Sequence, residues 1–168
     1  MAEWLDFFNA YRAPTQHLIS VLLAAAIWRW GGSPERWLAG VFVMTMVLPI
    51  YVARALGLGP LEVGPYAGVQ MLLDVVAVAV FVIIALNANR NYPLWIAGFQ
   101  LVAVGAHMVR ALVDSISPLS FAILAIGPSY GQLLVLSVGF ARHRLRERRY
   151  GPYRAWRSGS PGLGWVRP

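Results

Sequence analysis

Five stretches of this sequence are too apolar to be left in water, and they follow one another too closely to belong to separate soluble cores. A helix that crosses a bilayer needs about 20 mainly apolar residues, within a range of about 17–25. Segments of that kind run over residues 14–30, 37–56, 66–86, 93–113 and 119–141. Composition agrees, with 58% hydrophobic and 12% charged residues, where a soluble domain carries about 45–50% and about 25%. Mean hydropathy is +0.59. The expected fold class is therefore all-α, a polytopic membrane protein with five transmembrane helices.

Local signals mark the ends of these helices. Ser33-Pro34-Glu35 reads as an N-cap, a proline at the first helical position and an acid in the first turn, where it meets the positive end of the helix dipole. Gly57 and Gly59-Pro60 form a stop. The third span ends at Asn87-Ala88-Asn89-Arg90-Asn91, Pro93 opens the fourth, and Ser117-Pro118 caps and opens the fifth. Short connections suit antiparallel packing in sequence order. Residues 1–13, with Trp4, Phe7, Phe8 and Tyr11, read as an N-terminal interfacial segment or as a continuation of the first helix. The opening Met-Ala-Glu, with an acid at Asp6, does not have the basic start of a cleavable signal peptide.

Charge is concentrated at one end. All 14 basic residues are arginines, and residues 142–168 carry the formal net charge of +7 of the whole chain. A neutral apolar body with a basic end is the pattern of a membrane protein with a cytoplasmic basic tail, and nucleic-acid binding is not expected. Arg29, Arg36, Arg90 and the tail arginines fall on one side of a five-span topology, and Arg12, Arg54 and Arg110 on the other. The positive-inside rule then places the C-terminus in the cytoplasm and the N-terminus outside. Trp28, Trp30, Trp37, Tyr92 and Trp95 fall at the inner interface, and Trp4, Tyr51 and Tyr66 at the outer one. Arg142, Arg144, Arg146, Arg148 and Arg149 lie where the fifth span leaves the bilayer, as contacts for anionic lipid headgroups or for a partner, each worth about 1 kcal/mol near an anionic leaflet. Trp156 and Trp165 are suited to the headgroups, and Gly159, Pro161, Gly162 and Gly164 favour an extended end.

Ionisable groups inside a span are costly and face protein. Asp74 lies in the third span with Gln70 one turn away, and the fourth carries Gln100, His107, Arg110 and Asp114 along one stripe. Tyr130 and Gln132 come near mid-membrane in the fifth. These positions predict an intramembrane polar cluster of Asp74, His107 and Arg110, surrounded by Gln70, Gln100 and Tyr130. One reading makes it the glue between helices; the other makes it a proton or ion path. With no cysteine in the chain, thiolate metal sites and thiol nucleophiles are excluded. No cofactor or metal is predicted; haem or pigment ligation by His107 or His17 is the minor alternative.

Gly127-Pro128-Ser129-Tyr130-Gly131 matches the G-x-S-x-G nucleophile elbow in letters. That motif works on a strand-to-helix turn, and here it falls inside a span. Gly127 and Gly131 then read as a G-x-x-x-G face for close helix packing, with a rhomboid-like hydrolase pairing Ser129 and His107 as the alternative. No Walker loop, dinucleotide fingerprint or H-E-x-x-H follows, and no enzyme activity is expected.

Two resemblances add to this. Tyr150-Gly151-Pro152-Tyr153-Arg154-Ala155-Trp156-Arg157 resembles the C-terminal end of isoprenylcysteine methyltransferase-type membrane enzymes, which place Gly, Tyr and Arg at similar spacing. The histidine- and proline-containing segment those enzymes use for S-adenosylmethionine is not recognisable, so no catalytic residue carries over. Ala88-Asn89-Arg90 through Tyr92-Pro93-Leu94-Trp95, with Gln100-Leu101, His107 and Pro128-Ser129-Tyr130, is similar to small uncharacterised multi-helix inner-membrane proteins of alphaproteobacteria. That resemblance implies a bacterial inner-membrane location and no activity. The expected role is a non-catalytic accessory or scaffolding subunit of a larger respiratory or photosynthetic complex, bound to lipid and to other integral membrane subunits. The alternative is a small proton or ion conductor.

Overall fold

In a computed structural model of the protein, residues 2–58, 66–112 and 118–157 are described. The regular elements among them are helices: α1 (Ala2–Trp30), α2 (Ser33–Phe42), a π-helical turn (Val43–Val47), α3 (Leu48–Ala55), α4 (Ala67–Asn87), α5 (Tyr92–Leu112) and α6 (Pro118–Tyr150). Among the described residues three stretches are long and apolar enough to cross a membrane: Ser33–Ala55, Gly68–Asn87 and Tyr92–Arg110. Gly59, Pro60, Asp114, Ser117, Pro161, Trp165 and the glycines beyond residue 158, all named above, lie outside the described residues.

Helix α1 runs through Pro14 without a break, so residues 2–13 continue it. Residues 33–55 form one helical rod in which α2 passes through the π turn into α3. Proline is the cause. Pro49 has no N–H for the carbonyl of Thr45, and its ring crowds that carbonyl, so the backbone widens by one residue over the preceding turn. In the same turn Thr45 Oγ1 donates to the carbonyl of Val41 at 2.8 Å, a back-bond to i−4 that favours bending. The rod ends as its glycine foretells. Gly57 sits at φ +69°, the Leu58 amide bonds back to the Ala53 carbonyl at 2.9 Å and the Gly57 amide to Arg54 at 3.2 Å, which is a Schellman closure.

Helix α5 lies between α4 and α6. Two glycines of α6 set how closely it approaches α5. A Cβ on Gly131 would stand 2.7 Å from the Phe99 ring, and one on Gly139 2.8 Å from the Tyr92 ring. Gly127 faces open space, so the close face is Gly131 with Gly139, two turns apart, and not Gly127 with Gly131. Ile27, Leu38, Phe42, Phe81, Ile96 and Leu136 close the core where α1, α2, α4, α5 and α6 meet. Outward, α4 presents Leu72, Val76, Ile83 and Leu86, and α5 presents Leu94, Leu101 and Met108.

Helix α6 continues past residue 141 to Tyr150, so the arginine cluster rides on the helix itself. Gly151, at φ +78°, turns the chain. Residues 151–157 then return as a strap along the α4–α5 link: the Asn89 amide donates to the Ala155 carbonyl at 3.0 Å and the Arg157 amide to Asn87 at 2.8 Å. Trp156 packs against the core.

Candidate functional site: two buried polar centres

The first centre is a chain of side chains linking α4, α5 and α6 inside the bundle. Asp74 Oδ1 accepts from Gln100 Nε2 at 2.9 Å and, at the edge of bonding distance, from Gln70 Nε2 at 3.5 Å. Asp74 Oδ2 stands 3.2 Å from His107 Nε2. Gln132 Nε2 donates to Gln100 Oε1 at 2.7 Å and to the Ile96 carbonyl at 3.2 Å. Asp74, Gln100 and Gln132 are all buried to 3% exposure or less. Helical spacing produces this arrangement. Gln70 and Asp74 lie one turn apart on α4, Gln100 and His107 lie two turns apart on α5, and each pair faces the neighbouring helix.

Of the predicted cluster, Asp74, His107, Gln70 and Gln100 are thus brought together. Arg110 is exposed, and Tyr130 is 41% exposed, with its hydroxyl 3.5 Å from the Arg12 carbonyl. The α6 member of the chain is Gln132. Its face could have been read from the sequence, since Pro128, Gln132, Leu136 and Gly139 recur at helical spacing and are all buried, whereas Tyr130 lies off that stripe. Ser129 is occupied elsewhere: its hydroxyl donates to the Ile126 carbonyl at 2.7 Å and accepts from Gln16 Nε2 at 2.7 Å, tying α6 to α1. His17 meets the Tyr51 ring edge-on, with centroids 5.5 Å apart. Among the described residues no three His, Asp or Glu side chains are grouped as a metal site.

The second centre sits at the end of the bundle where α1 finishes, α2 begins, the α4–α5 link turns and α6 leaves. Glu35 and Arg90 form an ion pair there, with side chains 0% and 8% exposed. Gly32 presses on it: a Cβ at that position would stand 2.8 Å from Glu35 Oε2, 3.1 Å from Arg90 Nη2 and 3.4 Å from His143 Cε1. The strap supplies Tyr153. Its ring lies 5.0 Å from the Arg90 guanidinium and 4.4 Å from that of Arg146, both within cation–π range, and its hydroxyl is 2.9 Å from His143 Nδ1. Arg144 bonds Glu147 at 2.8 Å, and Glu147 stands 3.9 Å from His143 Nε2.

Burial disfavours the charged forms here. It lowers the pKa of Arg90 below the usual arginine value. It lowers that of His143 as well, and the neighbouring Arg90 charge pushes in the same direction. Sequence reasoning assigned none of Glu35, His143 or Tyr153 to a site. Glu35 read as a helix-dipole acid, and Arg90 as a topology marker within the stretch that ends the third span. No local signal joins the two.

Beside this centre a half-open cleft of about 940 Å³ runs between the start of α5 and the end of α6. Arg90, Arg142, Arg146 and Arg149 are on its wall, with Tyr153 from the strap. No protein-family model matches this chain, and no curated protein or solved structure matches it either.

Proposed function

We propose that the protein is a five-helix bacterial inner-membrane protein with its N-terminus outside and its basic end in the cytoplasm, acting as a non-catalytic accessory or scaffolding subunit beside larger respiratory or photosynthetic partners. The observation that carries this reading is the division of side chains. Polar groups are used inward to tie helices together, through Asp74, Gln100 and Gln132 and through Glu35 and Arg90. Large apolar side chains of α4 and α5 face out, where lipid or another helix would cover them. The orientation draws support from the clustering of the first loop, the α4–α5 link and the end of α6 at one end of the bundle, because these segments hold most of the arginines. Purification from native membranes in mild detergent is expected to bring down a stoichiometric partner, and a clean monomer would count against the subunit role. An absorption spectrum of the same preparation tests haem or pigment on His107 or His17.

A second reading, a small proton or ion conductor, is favoured by the 3.2 Å approach of His107 to Asp74, since such pairs serve as relays in membrane transporters. Flux through liposomes separates the two. Conductance that disappears in Asp74→Asn supports the conductor, and its absence from the parent protein removes it.

A further inference from the structure

The cleft between α5 and α6 has the two-part character of an amphiphile. One part is apolar: Trp95 of α5 with Leu134, Val135 and Val138 of α6 line it. The other is cationic, and it is selected from the arginine run by helical geometry. Val135, Val138, Arg142, Arg146 and Arg149 follow one another at three- and four-residue steps along one face of α6 and all line the cleft, whereas Arg144 and Arg148 do not. Arg144 instead bonds Glu147 and approaches the Trp30 carbonyl. Among the described residues no carboxylate lines the cleft, and the amides Asn89 and Asn91 do. Tyr92, whose buried hydroxyl has no hydrogen-bond partner among the described residues, lines it too. Its volume of about 940 Å³ falls within the range of about 300–1,000 Å³ of small-molecule sites.

The geometry points to a binding site for one anionic phospholipid, with the phosphate held by Arg142, Arg146 and Arg149 and the start of an acyl chain lying on Trp95, Leu134 and Val138. The site rests on the membrane reading above and deepens it, because it turns a diffuse attraction between basic residues and anionic headgroups into a stoichiometric one. The strap forms one wall through Tyr153, whose ring also lies within cation–π reach of Arg146.

The test is native mass spectrometry of the full chain, released from micelles containing phosphatidylglycerol and phosphatidylcholine in equal amounts. The parent is expected to retain one phosphatidylglycerol in preference to phosphatidylcholine. Arg142→Gln with Arg149→Gln, both exposed positions, lowers that retention about 30-fold. Arg144→Gln with Arg148→Gln, the same charge change on the other face, leaves it unaltered. Val138→Trp, which fills the apolar part without touching charge, abolishes it. Dodecyl phosphate displaces the lipid, and inorganic phosphate at the same concentration does not. Equal loss in the two double variants, retention in both, or equal displacement by inorganic phosphate overturns the site. Release of the protein from membranes without detergent would instead overturn the membrane reading, so the two failures are distinguishable.

Discussion

Glu35, in the first turn of α2, and Arg90, in the link between α4 and α5, meet as an ion pair with side chains 0% and 8% exposed. Removing one partner of such a pair costs about 3–5 kcal/mol because it strands a buried charge, whereas replacing both with apolar residues is close to neutral. Glu35→Leu alone is therefore expected to lower the thermal unfolding midpoint in detergent well below that of Glu35→Leu with Arg90→Met. Equal losses in the single and the double variant would contradict this account.

Glycine packing on α6 gives a contrast within one helix. Alanine at Gly131 or Gly139 brings a methyl group into the Phe99 or Tyr92 ring, an overpacking cost of about 1–3 kcal/mol. Gly127 meets no residue beyond its chain neighbours, and the helix propensity gained in Gly127→Ala is offset by the crowding of the new Cβ against the Pro128 ring. Detergent denaturation of the three variants should place Gly127→Ala close to the parent and the other two below it.

Within the Asp74 chain, Gln100 is the joint. It donates to Asp74 and accepts from Gln132, while Gln70 reaches Asp74 only at 3.5 Å. Interhelical hydrogen bonds in membranes average about 0.6 kcal/mol. Gln100→Met is accordingly expected to cost about 1–2 kcal/mol, since it breaks two contacts, and Gln70→Met a few tenths. A larger effect from Gln70→Met would reverse the assignment.

Docking of the strap should weaken on acidification. Around His143 stand Tyr153, Glu147, Arg144 and Arg90, with Glu35 close by across Gly32. Burial holds its pKa below the usual 6.5. Tyr153 of the strap covers the imidazole, so a released strap leaves His143 better solvated and able to bind a proton that the docked form refuses. Docking is thus strongest above pH 6.5 and loses strength as pH falls below it. Hydrogen exchange at the Asn89 and Arg157 amides, which bond across the strap, should accelerate beyond the intrinsic pH effect, and His143→Phe should remove the excess. A pH-independent ratio of protection would speak against a role for His143.

The sequence showed its apolar elements well and its polar contacts poorly, for a physical reason. Helices α4 and α5 begin and end within a residue or two of the expected places, because hydropathy, Asn-rich breaks and Pro93 act locally. Asp74, Gln100 and His107 could be joined because periodicity alone puts them on facing stripes. Glu35 and Arg90 could not, since each has a sufficient local explanation and only the packing of α2 against the α4–α5 link unites them. The strap is likewise a long-range backbone contact, Ala88 against Trp156, with no periodic signature. Trp156, suited on composition to the headgroups, packs on the core instead.

The buried ion pair also imposes an order on biosynthesis. Glu35 leaves the ribosome before α3, α4 and the link to Arg90 have been made, and at roughly 5–20 residues per second the delay is a few seconds. During that interval the carboxylate lacks the guanidinium that it meets in the fold, and it stays hydrated or protonated until the later hairpin arrives. The placement of α2 is in this sense provisional, and it is the α4–α5 turn that locks it.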